Sequence, residues 1–193
     1  MSFNSPQISE KFNAFNRVLV TGGAGFIGSA VIRKLLIESN AKVFNLDKIG
    51  YSSDLTSINK VLKELGNQSD ERYKFLKVNL TNLQDLSSAV NEANPDLVIH
   101  LAAESHVDRS IDGPKIFIES NIIGTYNLLE VVSSHYKQLH SSRKKIFRFH
   151  HVSTDEVYGS LDDDNKFNEK SPYAPRSPYS ASKASSDHLV MAW

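Results

Sequence analysis

The sequence contains no cysteine, only one Trp and two Met in 193 residues. Without cysteine there is no disulfide scaffold, no thiolate zinc site and no redox thiol, and a reducing cytoplasm is the default compartment. Charge of either sign is not in excess: 22 Lys+Arg balance 22 Asp+Glu. A nucleic-acid partner or a groove for polyanions is therefore not implied. No segment approaches the ~18 apolar residues of a membrane span, so no membrane partner is expected. The opening MSFNSPQISEKFNAFN lacks a basic start followed by an apolar run and does not read as a signal peptide. Repeats of solenoid length are absent as well. What is present is the composition of an ordinary globular domain, 40% hydrophobic with nine Gly and six Pro, able to bury a core.

Residues 1–16 are polar with scattered Phe and read as a flexible extension; residues 17–193 read as one dinucleotide-binding domain. Arg17–Thr21 is a short apolar strand. A Gly-rich turn follows, then a helix with Ile27, Val31 and Leu35 spaced by four. Lys42–Asp47 is the next strand, and 54–65 a helix that turns Leu55, Ile58, Val61, Leu62 and Leu65 inward and stops at Gly66. Tyr73–Asn79 is a third strand. Asn82 caps a helix carrying Leu83, Leu86 and Val90, and Pro95 ends it. Leu97–Ala103 is a nearly continuous apolar strand, to be covered on both faces. A long helical stretch from about Pro114 to Leu139, the strand Ile146–Ser153, a polar loop and a last helix from Tyr179 complete the pattern.

Strands alternating with helices predict a parallel sheet wound on both faces, with ligands outside the carboxyl ends of the strands. The notable polar groups fall there: the Gly turn, Asp47, Asn79, Ala102 to Ser105 and Ser153 to Glu156. Thr21–Gly28 (TGGAGFIG) sets Gly22, Gly25 and Gly28 in a GxxGxxG pattern between strand and helix. Missing side chains there permit a tight turn, close approach of a pyrophosphate and close helix packing. Asp47 closes the next strand 19 residues after Gly28, where a carboxylate accepts from ribose hydroxyls. A 2′-phosphate would meet its charge, which favours NAD over NADP, although Lys48 beside it keeps NADP open.

Tyr179 and Lys183 in YSASK are four apart, hence on one helical face. An ammonium beneath a phenol is expected to lower its pKa. Thr154, 25 residues earlier at a strand end, offers a hydroxyl to share a substrate proton. The bland alternative is an exposed helical pair; beside a dinucleotide turn, a hydride-transfer site is the better reading.

Together TGGAGFIG, LAAESHVDRS (101–110), STDEVYG (153–159) and YSASK resemble the extended short-chain dehydrogenase/reductases, from about Arg17 to Trp193. The resemblance implies a Rossmann-like domain, NAD and a nucleotide-sugar substrate. Its most specific element is Thr154-Asp155-Glu156, which resembles the members that dehydrate a nucleoside-diphosphate glucose, with dTDP-glucose the expected substrate. It implies that Tyr179 takes the proton from the 4-hydroxyl as carbon 4 is oxidised. Glu156 then removes the carbon-5 proton, and Asp155 protonates the departing 6-hydroxyl. Such chemistry asks for two carboxyl groups in opposite protonation states. Consecutive strand residues point to opposite faces, so both reach one sugar only if the strand ends near Thr154 and the chain turns. The resemblance further places Gly22, Gly25, Phe26, Ile27, Gly28, Asp47, Lys48, Asn79, Leu80, Leu101, Ala102, Ala103, Ser120, Tyr179 and Lys183 along the cofactor, and Ser105 and Thr154 at the substrate. Asn79 stands where Asp is usual and Ser120 where Thr is commoner. Asn121 either positions Lys183 through a water or bonds a neighbouring backbone.

The family continues well past residue 193, so the sheet is expected to be incomplete, lacking its last strands and the substrate domain, and turnover to be poor. A sister 4-epimerase or decarboxylase and a non-catalytic NAD-binding remnant remain open. A homodimer through the helices at about 114–139 and from 179 is a further implication, although Ile116, Ile123 and Val131 read as core rather than interface. His100, His106, His150 and His151 match no metal-ligand spacing, and no metal is expected. Asp162-Asp163-Asp164 and Arg143-Lys144-Lys145 read as solvated loop charges.

Overall fold

Along β1 (Arg17–Thr21), Val18 and Val20 face one side of a sheet and Leu19 the other, and none of the three touches solvent. A strand buried on both faces needs cover on both. In the computed structural model, which describes residues 14–161 and 166–193, β1 lies at the centre of a five-stranded parallel sheet. Beside it run β2 (Lys42–Asp47) and β4 (Leu97–His100), flanked by β3 (Tyr73–Lys77) and β5 (Arg148–His151) in the order β3-β2-β1-β4-β5. On one face α1 (Phe26–Glu38) and α2 (Thr56–Leu65) lay Ile32, Leu35, Leu36, Ile58 and Val61 against the sheet. The short α3 (Ser69–Arg72) leads into β3. On the other face α4 (Leu83–Ala93) brings Leu86, Ala89 and Val90. Burying each large aliphatic side chain is worth roughly 1.5–3 kcal/mol. The result is a Rossmann-like α/β/α layering, as the alternation predicts. No helix among the described residues is long and apolar enough to cross a membrane.

The stops act where the residues place them. Gly66 ends α2 at φ +57, and Asn82 accepts from Asp85 N to start α4. After β4 come α5 (Val107–Asp112), α6 (Lys115–Phe117), a π-helical turn (Ile118–Ile123), α7 (Gly124–Gln138) and α8 (Ser141–Ile146). The last helix, α9 (Pro178–Ala192), opens with proline in its first turn and a reciprocal Ser177–Ser180 capping box.

Several expectations are corrected. β3, β4 and β5 are shorter than predicted: Val78 N still donates to Asp47 O, Leu101 N to Thr21 O and Val152 N to His100 O, but the neighbouring strands stop there, and β5 starts late because Ile146 ends α8. Ile116 and Ile123 are not core; they are 44% and 46% exposed, and the helix instead buries Phe117, Asn121, Thr125, Leu128 and Val132. Two of those are polar, so an apolar count selects the wrong face. Arg143 is not a solvated loop charge: it sits in α8 and donates through Nε to Asp96 Oδ1 at 2.7 Å. Asp162-Asp163-Asp164 lie outside the described residues, as does most of the N-terminal stretch, although Phe15 packs against the core and Asn16 O accepts from Lys42 N.

Asp96, 3% exposed, gathers Arg143 Nε, Asn16 N and Arg17 N at the amino end of the sheet. Removing its charge strands a guanidinium. Asp96→Asn is expected to lower the unfolding free energy by about 2–3 kcal/mol in urea titrations at neutral pH; a loss below about 0.5 kcal/mol would mean that the triple contact contributes little.

Candidate active site

At the carboxyl end of β1, Gly22 adopts φ +70, and its N–H donates to Leu46 O at 2.8 Å. A Cβ there would stand 2.7 Å from the backbone N and Cα of Ala102, where the chain leaves β4. A Cβ on Gly28 would collide with Gly22 O, so the turn closes only around glycine. Gly25 caps α1 without any side-chain acceptor, which leaves the first-turn amides directed outward.

Asp47 ends β2 and is nearly enclosed. Its Oδ2 accepts from Ala24 N at 3.0 Å, and its Oδ1 accepts from Ile49 N at 2.8 Å and Ser53 Oγ at 3.1 Å. The carboxylate thus first organises the Gly turn and the loop after β2. Lys48, predicted to lie along a cofactor, pairs with Glu104 at 2.6 Å, bridging the loops that leave β2 and β4. Glu104 and the Gly50–Ser53 segment were not singled out by sequence; a carboxylate between Ala103 and Ser105 was the available signal. Arg109 further stacks its guanidinium 3.8 Å over the Tyr51 ring.

Asn79 and Leu80 follow β3, where Asn79 Oδ1 accepts from Thr81 N. Ser120 lies in the π-helical turn. Its neighbour Asn121, buried, accepts from Glu104 N at 2.8 Å and donates to Glu104 O and Ser182 Oγ. Asn121 therefore clamps the loop after β4 to α9, and its partner on that helix is Ser182 rather than Lys183.

The expected turn after β5 is present. The strand stops at His151, and Thr154 Oγ1 accepts from Glu156 N to start a single 3₁₀ turn, Asp155–Tyr158. Both carboxylates lie close enough to Tyr179 for their charge to act on its phenol, and Thr154 lies close enough to act on it in the opposite sense. Asp155 is exposed and Glu156 half-buried. Lys183, 5% exposed, donates from Nζ to Val152 O at 2.8 Å. Burial pulls its pKa down to about 8 against the opposing charge of Asp187.

The phenol of Tyr179 departs from expectation. Its pKa is raised, first by burial and further by Glu156, Asp155 and Asp187, with only Thr154 opposing. The sequence argument counted the ammonium but not the desolvation of the site or its three carboxylates.

Gly22, Gly25, Phe26, Ile27, Gly28, Asp47, Lys48, Asn79, Leu80, Leu101, Ala102, Ala103, Ser105, Ser120, Tyr179 and Lys183 all line one groove. Thr154, Asp155 and Glu156 stand at its Tyr179 end, just past the lining residue Ser153. The groove encloses about 390 Å³, in the range of small-molecule clefts. One end offers free amides and an acidic strand end, the other a phenol, an amine and two carboxylates. That is an anion cradle joined to a proton-transfer site.

A family model described as GDP-mannose 4,6 dehydratase matches residues 19–193. The chain belongs to this family. Among curated relatives, the dTDP-glucose 4,6-dehydratase of Neisseria meningitidis serogroup B is 51% identical over 178 residues, covering 92% of this chain and 48% of that protein. The chain spans about half the length of the curated relatives it matches. Among solved structures, the dTDP-glucose 4,6-dehydratase of Streptomyces venezuelae with NAD bound superposes with a TM-score of 0.77 at 38% identity, over 91% of this chain and 51% of that one. A UDP-glucose 4-epimerase of Thermus thermophilus in complex with NAD follows the same fold at TM-score 0.73 and 30% identity, over 91% of this chain and 50% of that one. The 4,6-dehydratase family groove in this chain is thus built on a frame that its epimerase neighbours share.

His100 fixes that frame from beneath. Its Nδ1 and Nε2 meet the hydroxyls of Thr21 at 2.7 Å and Thr125 at 3.0 Å, and burial, with His151 and Lys183 nearby, holds its pKa well below 6.5. The unfolded chain takes up this proton near 6.5 and the folded chain resists it, so the stabilisation is present above 6.5 and is lost as pH falls through the folded value. Urea midpoints compared between about pH 8 and about pH 5 are expected to fall on the acid side, and less steeply in His100→Gln. Equal slopes in both proteins would exclude His100 as the source.

Proposed function

We propose that residues 17–193 form a domain that binds NAD in this groove and presents the catalytic residues of a dTDP-glucose 4,6-dehydratase, a hydro-lyase acting on a nucleotide sugar. The observation that carries this reading is the arrival of Gly22, Asp47, Tyr179 and Lys183 in one groove at the carboxyl ends of parallel strands, with the Thr154–Glu156 turn beginning just past the lining residue Ser153 and acting on Tyr179. The groove fits a dinucleotide: glycine at 22 lets the turn close against Ala102, and the first-turn amides of α1, which receive no side-chain cap from Gly25, would serve a pyrophosphate. Asp47 has acceptor capacity beyond its three protein donors for ribose hydroxyls, and its charge disfavours a 2′-phosphate.

NAD held by Gly22, Asp47 and the first-turn amides of α1 would supply a hydride acceptor for oxidation at carbon 4 of the sugar and the same hydride for carbon 6. Tyr179 accepts the proton of the 4-hydroxyl as its phenolate, a form that the raised pKa disfavours and that the positive charge of bound NAD would favour, with Thr154 sharing the proton and Lys183 one turn further on the same helical face. The carbon-5 proton, acidified by the neighbouring ketone, passes to Glu156. Asp155 protonates the departing 6-hydroxyl, which leaves as water. Glu156 is half-buried and Asp155 exposed, so the two adjacent carboxyl groups stand in different surroundings. The cytoplasm suits a cysteine-free chain. Exposed Ile116, Ile118, Ile123 and Tyr126, the last packed edge-on against Trp193 just past α9, offer an apolar face for a homodimer.

Calorimetric titration of the chain with NAD is expected to show binding that Asp47→Ala weakens about tenfold or more. With dTDP-glucose in deuterium oxide, product is expected to carry label at carbon 5, at a rate that Glu156→Gln lowers about 100-fold. Inversion at carbon 4 without loss of water favours the epimerase alternative. NAD binding without any product leaves the remnant reading.

A further inference from the structure

Asp187 stands one helical turn beyond Lys183 on α9 and is 7% exposed. Three side chains converge on its carboxylate. His151 Nε2 meets Oδ1 at 2.9 Å; Ser153 Oγ donates to Oδ2, and Tyr173 OH donates to the same oxygen at 3.0 Å. The donors come from two places. His151 and Ser153 belong to the end of β5, immediately before Thr154, and Tyr173 belongs to the loop that leads into α9. The carboxylate therefore ties the segment that carries Thr154, Asp155 and Glu156 to the helix that carries Tyr179 and Lys183. An ionised carboxylate only accepts, so Nε2 of His151 carries the hydrogen, and the buried Nδ1 has no partner among the described residues.

We propose that Asp187 is a positioning residue for the Tyr179–Lys183 pair, locking the end of β5 to α9 and keeping a negative charge one turn beyond the lysine. The inference rests on the catalytic reading given above, and it names a residue outside the groove lining. Its charge is maintained. Burial alone would raise the Asp187 pKa, but the hydrogen bonds from His151, Ser153 and Tyr173 outweigh burial and leave it lowered. The groups that bear on Lys183 are few. Asp187 acts on it from the following turn and His100 feels its charge from β4, while His151 reaches Asp187 and His100, and Tyr179 lies one turn before it on the same helix. Asp155 and Glu156 act on Tyr179 from the turn after β5. Of all these, Asp187 is the one whose charge supports the ammonium against its burial. A residue that merely braced the helix would not change the proton affinity of its neighbour.

The test needs no bound cofactor. In protein labelled at lysine Cε, the Lys183 resonance, assigned with Lys183→Arg, is expected to titrate near pH 8, and in Asp187→Asn its midpoint is expected to fall by about one unit. Asparagine keeps the size and one acceptor, so an unchanged midpoint in a folded variant overturns the proposal. If Asp187→Asn does not fold, the wild-type protein still decides: the Asp187 carboxyl carbon is expected to show a second titration step coincident with that of Lys183, and a flat response there overturns it. NAD titrations on the same samples separate the two readings. Wild-type protein that binds no NAD defeats the cofactor assignment while the Lys183 titration still judges Asp187. Wild-type protein that binds NAD, with Lys183 indifferent to Asp187, defeats the positioning role alone.

Discussion

The approach of Gly22 to the backbone of Ala102 is the contact around which the rest is arranged. Two parallel strands, β1 and β4, lie side by side in the sheet but send their chains to opposite faces, β1 into α1 and β4 toward α5 and the π-helical turn. Where they part, a crevice opens at the carboxyl ends, as the reversal of strand order dictates. Its width is set by how closely the two departing backbones pass. A side chain at 22 would bring its Cβ within 2.7 Å of the Ala102 backbone and force the two chains apart just past the Thr21↔His100 pair. The His100 bonds to Thr21 and Thr125 reinforce that register from below.

That construction explains why the groove perturbs the groups at its far end. Tyr179 and Lys183 sit on a helix pressed against the end of β5, so both are desolvated, and desolvation favours the neutral form of each. The phenol is driven up and the amine down to about 8. Neither shift is the work of the other residue. The YxxxK spacing brings the two side chains to one face, but the surrounding carboxylates and the loss of water fix their proton affinities. Any added positive charge beside the phenol would act against the shift that the protein itself imposes.

Much of this was legible in the sequence because it depends on local rules. A glycine turn between strand and helix, an acidic strand end and a proline-opened helix each follow from backbone geometry within a few residues. The turn at Thr154 was legible by a different route, from the requirement that adjacent carboxylates face one substrate. What escaped depends on side chains meeting across the fold. Asn121 was noticed but its partners were not, since nothing in the sequence says that residue 121 reaches residues 104 and 182. The outward face of Ile116 and Ile123 was misread because Asn121 and Thr125 occupy the buried face, where they satisfy polar groups rather than fill volume. Asp187 is inconspicuous in the sequence for the same reason: the donors that hold it, His151, Ser153 and Tyr173, come from distant segments.

Three of the four carboxylates buried among the described residues show how one device serves different ends, the fourth, Glu104, being paired with Lys48. Asp96, Asp47 and Asp187 each gather three donors from separated segments, which is how a protein keeps an ionised group out of water at acceptable cost. At the amino end of the sheet the donors of Asp96 include a guanidinium, so charge is neutralised on the spot and the site is closed. At the carboxyl end neither Asp47 nor Asp187 receives a cationic donor from Lys or Arg. Their negative charge is left to act on what lies beside them: the ligand-facing surface of the Gly turn in one case, the buried lysine in the other. The amino end of the sheet is thus electrostatically finished, while the carboxyl end is charged and incompletely compensated, and the groove lies where that imbalance can be used.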